Sequence, residues 1–253
     1  MARPRYRTAL VTGASSGLGR ELALGLAAGG VRVFACARRA ALLDELVAAI
    51  GAAGGTAEAC PLDVADGERT AATLRRIDER SGGLDLVVAN AAVGAPRDVA
   101  PYAWEAVRAA LHVNLCGAAA TLTGALPAMV ARGRGHLVGI SSLASFGALP
   151  AAAAYSAPKA GLSMLLACLR LDVVPLGIDV TTVHAGFIAT PMTARSTHRM
   201  PQRWSAAHAA RHVLARLPSA PAEIAFPEPL ASATRWLARL PRPVRERLLR
   251  RLG

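Results

Sequence analysis

Lysine is almost missing from this chain of 253 residues. Of 29 basic residues, 28 are arginine, and Lys159 stands alone. A guanidinium serves wherever a generic surface cation suffices. The one retained ammonium therefore marks a place that needs a compact charge with a tunable pKa. Cysteine is scarce as well. Cys36, Cys60, Cys116 and Cys168 lie far apart with no C-x-x-C pair, which argues against a disulfide framework or a metal site. Each stands among Ala, Leu or Val and reads as a small apolar side chain, and a reducing cytoplasm fits that usage. No run of 18 or more apolar residues occurs, so no transmembrane helix is expected. The basic residues 1–7 are followed by only Ala9 to Val11 before Thr12 and Gly13, too little for a signal-peptide core.

Acidic residues run short in one region only. Residues 193–253 hold 12 Arg against 3 Glu, whereas residues 1–192 are nearly balanced, with 17 Lys+Arg and 14 Asp+Glu. The net charge of +12 is thus a property of the C-terminal quarter. What the chain has in quantity is apolar surface: 53% of residues are hydrophobic and 18% charged. That supports a large core and excludes disorder of the whole chain.

Strand-like apolar runs alternate with helical periodicity. Strands are expected at Thr8–Thr12, Val31–Ala37, Thr56–Cys60, Leu84–Ala89, Gly135–Ser141 and Asp179–His184. Helices are expected near Leu18–Ala28, Ala40–Ala53, Gly67–Ser81, Trp104–Arg132 and Tyr155–Val174. Continuous apolar strands between helices imply a parallel sheet covered on both faces. Right-handed crossovers then give an α/β, doubly wound, Rossmann-type domain with three α/β/α layers. One catalytic domain is expected over residues 1–227, with a helical basic tail over 228–253. Residues 187–204 read as a substrate loop over the carboxyl edge of the sheet.

Thr12-Gly13-Ala14-Ser15-Ser16-Gly17-Leu18-Gly19 joins the first strand to the first helix. The glycines permit a tight turn, a close approach to a pyrophosphate and tight helix packing, and the helix N-terminus offers free N–H groups. An ordinary glycine-rich turn has the same look. Arg38 and Arg39 follow the second strand, where an acidic residue would bind the 2′-hydroxyl of NAD. With Ala37 in place of a carboxylate, two guanidinium groups favour the 2′-phosphate of NADP. The alternative is a solvated pair at a helix start.

Tyr155-Ser-Ala-Pro-Lys159 puts a phenol and the sole ammonium on one helix face. A free tyrosine titrates about three units above neutrality, and a fixed cation can supply much of that shift. Taken alone, the pair also fits an inert surface contact. Pro158 is tolerable if the helix begins near Tyr155. Ser142 either holds a reacting oxygen or caps a turn. Asn114, mid-helix between Val113 and Leu115, either anchors a proton-passing water or bonds a carbonyl.

Taken in order, these residues resemble the short-chain dehydrogenase/reductase family in its single-domain form of about 250 residues, over residues 8–192. TGASSGLG is similar to its cofactor turn. Leu62-Asp63-Val64 is similar to its adenine-contacting segment, and Asn90-Ala91-Ala92 to its N-N-A-G motif. Asn114, Ser142, Tyr155 and Lys159 fall on its catalytic set. Gly186, Ile188 and Thr190-Pro191-Met192 fall on its P-G-x-x-x-T segment. The resemblance implies an oxidoreductase moving a hydride between NADP(H), or NAD, and an alcohol or ketone carbon. It makes Tyr155 the acid/base, with Lys159 lowering its pKa and binding the nicotinamide ribose. Ser142 orients the carbonyl and Asn114 supports a proton relay. The cofactor contacts it implies are Gly13, Ser15, Ser16, Gly17, Leu18, Gly19, Arg38, Arg39, Asp63, Val64, Asn90, Ala91, Tyr155, Lys159, Gly186, Ile188 and Thr190.

The chain departs from the pattern at Ala89, Ala92 and Ala185, and His184 reads as a packed strand-end residue rather than a second base. The ending, Glu223-Ile-Ala-Phe-Pro227 and a long tail, argues against a carrier-protein ketoacyl reductase. Residues 93–102, 143–150 and 187–204 are mainly apolar, so an apolar alcohol or ketone is the expected substrate. A homo-oligomer is expected, without nucleic acid. Val244, Leu248 and Leu252 recur at helical spacing among arginines, so peripheral membrane contact competes with packing on a partner. The alternative function is a regulatory or membrane-recruited cofactor-binding protein on the same fold.

Overall fold

The computed structural model describes residues 5–94, 103–194 and 200–252. Seven strands form one all-parallel sheet in the order β3-β2-β1-β4-β5-β6-β9. They are β1 (Thr8–Thr12), β2 (Arg32–Ala37), β3 (Ala57–Pro61), β4 (Leu86–Ala89), β5 (Gly135–Ser142), β6 (Ile178–Ala185) and β9 (Glu223–Phe226). The order reverses between β1 and β4, which opens a crevice at the carboxyl ends of those strands.

Successive strand residues face opposite layers, as a sheet buried on both sides requires. Val33 and Ala35 of β2 join one core with Leu22 and Leu26 of α1 (Gly17–Ala28) and Leu43 and Leu46 of α2 (Ala40–Ala52). Phe34 and Cys36 join the other, with Leu74 of α3 (Gly67–Ser81), Leu122 of α5 (Ala118–Arg132) and Leu162 and Leu166 of α6 (Ala153–Val173). Asp66 starts α3 by accepting a hydrogen bond from Arg69 N at 3.0 Å, which satisfies one unpaired helix donor.

The expected helix over Trp104–Arg132 is continuous but not uniform. A π-helical turn, His112–Gly117, separates α4 (Trp104–Leu111) from α5. This stretch is long and apolar enough to cross a bilayer, yet 50% of its most apolar window is buried inside the protein. It is packed as a core helix, with Leu122, Ala125 and Met129 fully buried.

Two expectations are corrected, and one helix was not foreseen. Helix α6 begins at Ala153, so Pro158 falls in its second turn; the missing N–H removes the bond to the Ala154 carbonyl. Cys116 and Cys168 are exposed, unlike Cys36 and Cys60, because apolar sequence neighbours do not decide which helix face a residue occupies. Helix α7 (Ala206–Arg216), capped by Ser205 Oγ accepting from His208 N at 3.1 Å, went unread in the sequence.

Two short strands, β7 (Ile188–Ala189) and β8 (Trp204–Ser205), pair with each other and join the two ends of the expected substrate loop. Trp204 stacks on Phe226 with ring centroids 5.0 Å apart. Residues 95–102 and 195–199 of the expected substrate walls lie outside the described residues. The tail forms α8 (Glu228–Arg239) and α9 (Arg242–Leu252), with Ala231 and Leu249 turned inward and Trp236 exposed.

At the amino edge of the sheet, Tyr6 Oη lies 2.7 Å from His136 Nδ1 and donates to the Leu217 carbonyl at 3.0 Å. Burial pushes His136 down to about 3, so its ring is neutral there. The charged counterpart is Arg132, whose Nη1 and Nη2 bind the two oxygens of buried Asp78 at 2.6 and 2.9 Å. Asp78 also accepts from Leu84 N at 2.8 Å, tying α3 and α5 to the start of β4. Arg132→Met leaves that buried carboxylate without its cation and lowers stability by about 3–5 kcal/mol, read as the midpoint shift in urea unfolding.

Candidate active site

A cleft of about 330 Å³ opens at the β1/β4 reversal. Every expected cofactor contact lines it: the glycine turn, Arg38 and Arg39, Asp63 and Val64, Asn90 and Ala91, Tyr155 and Lys159, and Gly186, Ile188 and Thr190. Asn114 and Ser142 are not among its lining residues, whereas Ser141, Val93, Pro191, Met192 and Thr193 are.

The turn is built to be tight. A Cβ on Gly19 would stand 2.4 Å from both Asn90 Nδ2 and the Gly13 carbonyl oxygen. Asn90 spends its side chain on that turn, donating from Nδ2 to Thr12 O at 2.8 Å. Thr12 Oγ1 in turn accepts from the backbone N–H groups of Asn90 and Ala91 at 3.0 and 3.1 Å. Gly17 has φ +58°, and its missing Cβ would meet Thr190 Cγ2 at 2.9 Å. The Thr190 segment therefore closes over the amino end of α1, where free N–H groups and the helix dipole favour an anion.

Arg39 does not cap α2 with its side chain. It reaches across the turn, donating from Nη2 to Ser15 Oγ at 2.8 Å and to Ser16 Oγ at 2.7 Å. Arg38 stays half open, 3.9 Å from Asp63. Two guanidinium groups and two hydroxyls thus meet beside Ala37 at the end of β2.

Lys159 is 2% exposed. Its Nζ donates to the Ile140 carbonyl at 2.6 Å and lies 5.9 Å from the centre of the Tyr155 ring. Burial pulls the ammonium down to about 8, which leaves it cationic at neutral pH. Ser141, missed in the sequence, points off the other side of β5. Its Oγ donates to the Lys159 carbonyl at 3.0 Å and pins α6 to the strand. The only signal for it was the period of two along β5, which turns Ser141 and Ser142 opposite ways.

Ser142 Oγ accepts from Ala144 N at 3.1 Å. One lone pair is thereby fixed, and its O–H proton is left to aim elsewhere. Asn114 is fully buried. Its amide clasps the backbone of Val93, accepting from Val93 N at 2.8 Å and donating to Val93 O at 3.0 Å. The Nδ2 contact to the Val93 carbonyl is the bond that one of the two sequence readings expects. The π turn around Asn114 widens the backbone ladder there, a feature common at functional sites.

A family model described as short chain dehydrogenase matches residues 7–201. A protein of Myxococcus xanthus (strain DK1622) named as an uncharacterized oxidoreductase is 47% identical over 252 residues, covering 100% of both chains. The ketoacyl reductase HetN of Nostoc sp. is 33% identical over 188 residues, covering 74% of this chain and 66% of its own. A crystal structure of a short-chain dehydrogenase from Streptomyces avermitilis superposes with a TM-score of 0.80 at 30% identity, over 91% of this chain and 90% of that one.

Lys159 also generates a pH signature. Its folded value of about 8 lies below its ordinary 10.5. Between those values the unfolded chain holds a proton that the folded chain does not, so stability rises with pH. Across pH 8 to 10.5 the cofactor-free wild type gains on the order of 3 kcal/mol over Lys159→Met, measured by urea unfolding of both at each pH.

Proposed function

The chain belongs to the short-chain dehydrogenase family, and from that premise we propose that it interconverts an alcohol and a ketone carbon of an apolar small molecule with NADP(H). The observation that carries this reading is the buried Lys159 ammonium beside Tyr155 in one cleft with the glycine turn. When bound, the nicotinamide supplies the hydride. Everything else falls to the chain. Tyr155 Oη gives its proton to the reacting oxygen in reduction and takes it back in oxidation. The Lys159 ammonium stabilises negative charge on that phenol by direct attraction and would hold the nicotinamide ribose of a bound cofactor. Ser142 donates its O–H to the reacting oxygen, its hydroxyl oriented by the Ala144 N–H bond to one of its lone pairs. The Asn114 side chain holds the Val93 loop, so its part in a relay falls to the loosened backbone of the π turn.

Ala37 together with the Arg39–Ser15–Ser16 cluster supports NADP over NAD. Val93, Ile188, Pro191 and Met192 along the cleft support an apolar substrate. Trp104, Met164 and Leu171 are 64%, 66% and 79% exposed, and such apolar outer residues on α4 and α6 support a homo-oligomer.

Purified protein is tested with NADPH and NADH against cyclohexanone, acetophenone and 2-decanone, following loss of the reduced-nicotinamide absorbance. Tyr155→Phe lowers kcat by roughly 10²–10⁴-fold while NADPH still binds, and unchanged turnover in that variant would exclude the acid/base assignment. Arg38→Ala with Arg39→Ala weakens NADPH binding by about 10–100-fold and spares NADH. Equal loss for both cofactors would remove the 2′-phosphate contact.

A further inference from the structure

His184 is the last residue but one of β6, beside the serine strand and in register with Ser141. Its side chain is 3% exposed. Phe146 packs against the ring with centroids 4.4 Å apart, and the Arg235 guanidinium lies 4.9 Å from the centre of Phe146. The hydrogen bonds around it settle where its proton sits. Ser145 Oγ donates to the Ser142 carbonyl at 2.6 Å. A hydroxyl has one proton, so at its contact with His184 Nδ1, 3.1 Å away, Ser145 Oγ must accept. Nδ1 therefore carries the hydrogen.

The other ring nitrogen is left over. Nε2 is buried with no hydrogen-bond partner within reach among the described residues. It stands 3.8 Å from Glu223 Oε1, while Arg235 holds Oε2 of the same carboxylate at 2.7 Å. Burial lowers the imidazole pKa, and Glu223 and the Ser142 carbonyl pull it back only in part, with Arg235 adding to the lowering. A buried ring of the Nδ1–H form, with a bare Nε2 beside an acid, has a polar cost that packing alone does not require. The cost has a return at Nδ1.

We infer that His184 is a positioning residue for Ser142. Through Ser145 it locks the tight turn Leu143–Ser145, and that turn presents the Ala144 N–H that orients Ser142 Oγ. The route is short and continuous: imidazole Nδ1–H to Ser145 Oγ, Ser145 O–H to the Ser142 carbonyl, and Ala144 N–H back to Ser142 Oγ. Phe146 packs on the ring and Arg235 of α8 lies over Phe146, so the C-terminal region backs the turn from behind. The inference rests on the assignment of Ser142 to the reacting carbonyl.

The test combines three substitutions with one spectrum. His184→Leu keeps apolar bulk and removes the donor; kcat on the ketones above falls about tenfold, while KM and NADPH affinity hold. His184→Asn puts an amide N–H where Nδ1 was, lacks any Nε2, and recovers kcat to within about threefold of wild type. Ser145→Ala reproduces His184→Leu, and the double variant is no worse than either, since both break one chain. Should His184→Leu not fold, Ser145→Ala and His184→Asn carry the comparison. A wild-type kcat in Ser145→Ala, or His184→Asn no better than His184→Leu at equal NADPH affinity, overturns the inference. Nitrogen–proton NMR correlation of the imidazole reads the tautomer without any turnover. Nδ1–H is expected, and an Nε2–H ring overturns the proposal even if Tyr155→Phe behaves as the oxidoreductase reading requires. Conversely, full activity in Tyr155→Phe sinks that reading and leaves the tautomer result to stand separately.

Discussion

A single ammonium held out of water at the junction of β5 and α6 governs the rest of the site. Lys159 Nζ has the Ile140 carbonyl at 2.6 Å, and a carbonyl dipole offsets only part of the loss of hydration. The ammonium is therefore under-solvated and interacts strongly with any negative charge nearby, because the medium around it screens poorly. Much of the surrounding architecture keeps it there. Ser141 ties the Lys159 backbone to β5, and Ser163 Oγ meets both Ser141 Oγ at 2.8 Å and the Lys159 carbonyl at 3.0 Å. The phenol one helical turn earlier lies within the reach of that charge.

The remaining cations tell the complementary story. Arginine supplies the other basic groups, and those that matter structurally use the planar fork. Arg132 grips Asp78 with two parallel bonds, and Arg39 spans two serine hydroxyls. An ammonium could not make either contact with the same geometry. Conversely, a guanidinium would not fit the compact slot at Ile140. The composition of the chain thus separates a point-charge task from several fork-shaped ones.

The layered sheet was legible because its strands are apolar on both faces and its helices are periodic. The tight glycine turn was legible because glycine spacing expresses steric demands that reach only a few residues along the chain. What escaped was what depends on residues meeting from far apart. The π turn at Asn114 follows from an amide that binds Val93, 21 residues away, and no local propensity announces it. Ser145 and His184 meet across 39 residues. Helix α7 is rich in Ala, His and Arg, so its apolar face is narrow, and only Ala209, Ala210 and Val213 turn inward. Pro158 was assigned to a first turn because sequence places a helix start no better than within a few residues. The exposed Cys116 and Cys168 show the same limit at the level of faces.

The pairing of Ile188 with Trp204 and of Ala189 with Ser205 has a consequence for how such a protein changes over time. Both ends of the intervening segment are fastened to each other and, through Trp204 against Phe226, to the last strand of the sheet. Thr190, Pro191 and Met192 follow the first fastener directly and line the cleft. The clasp therefore lets a change of sequence beyond Thr193 be absorbed at β7 and β8 before it reaches β5 or α6.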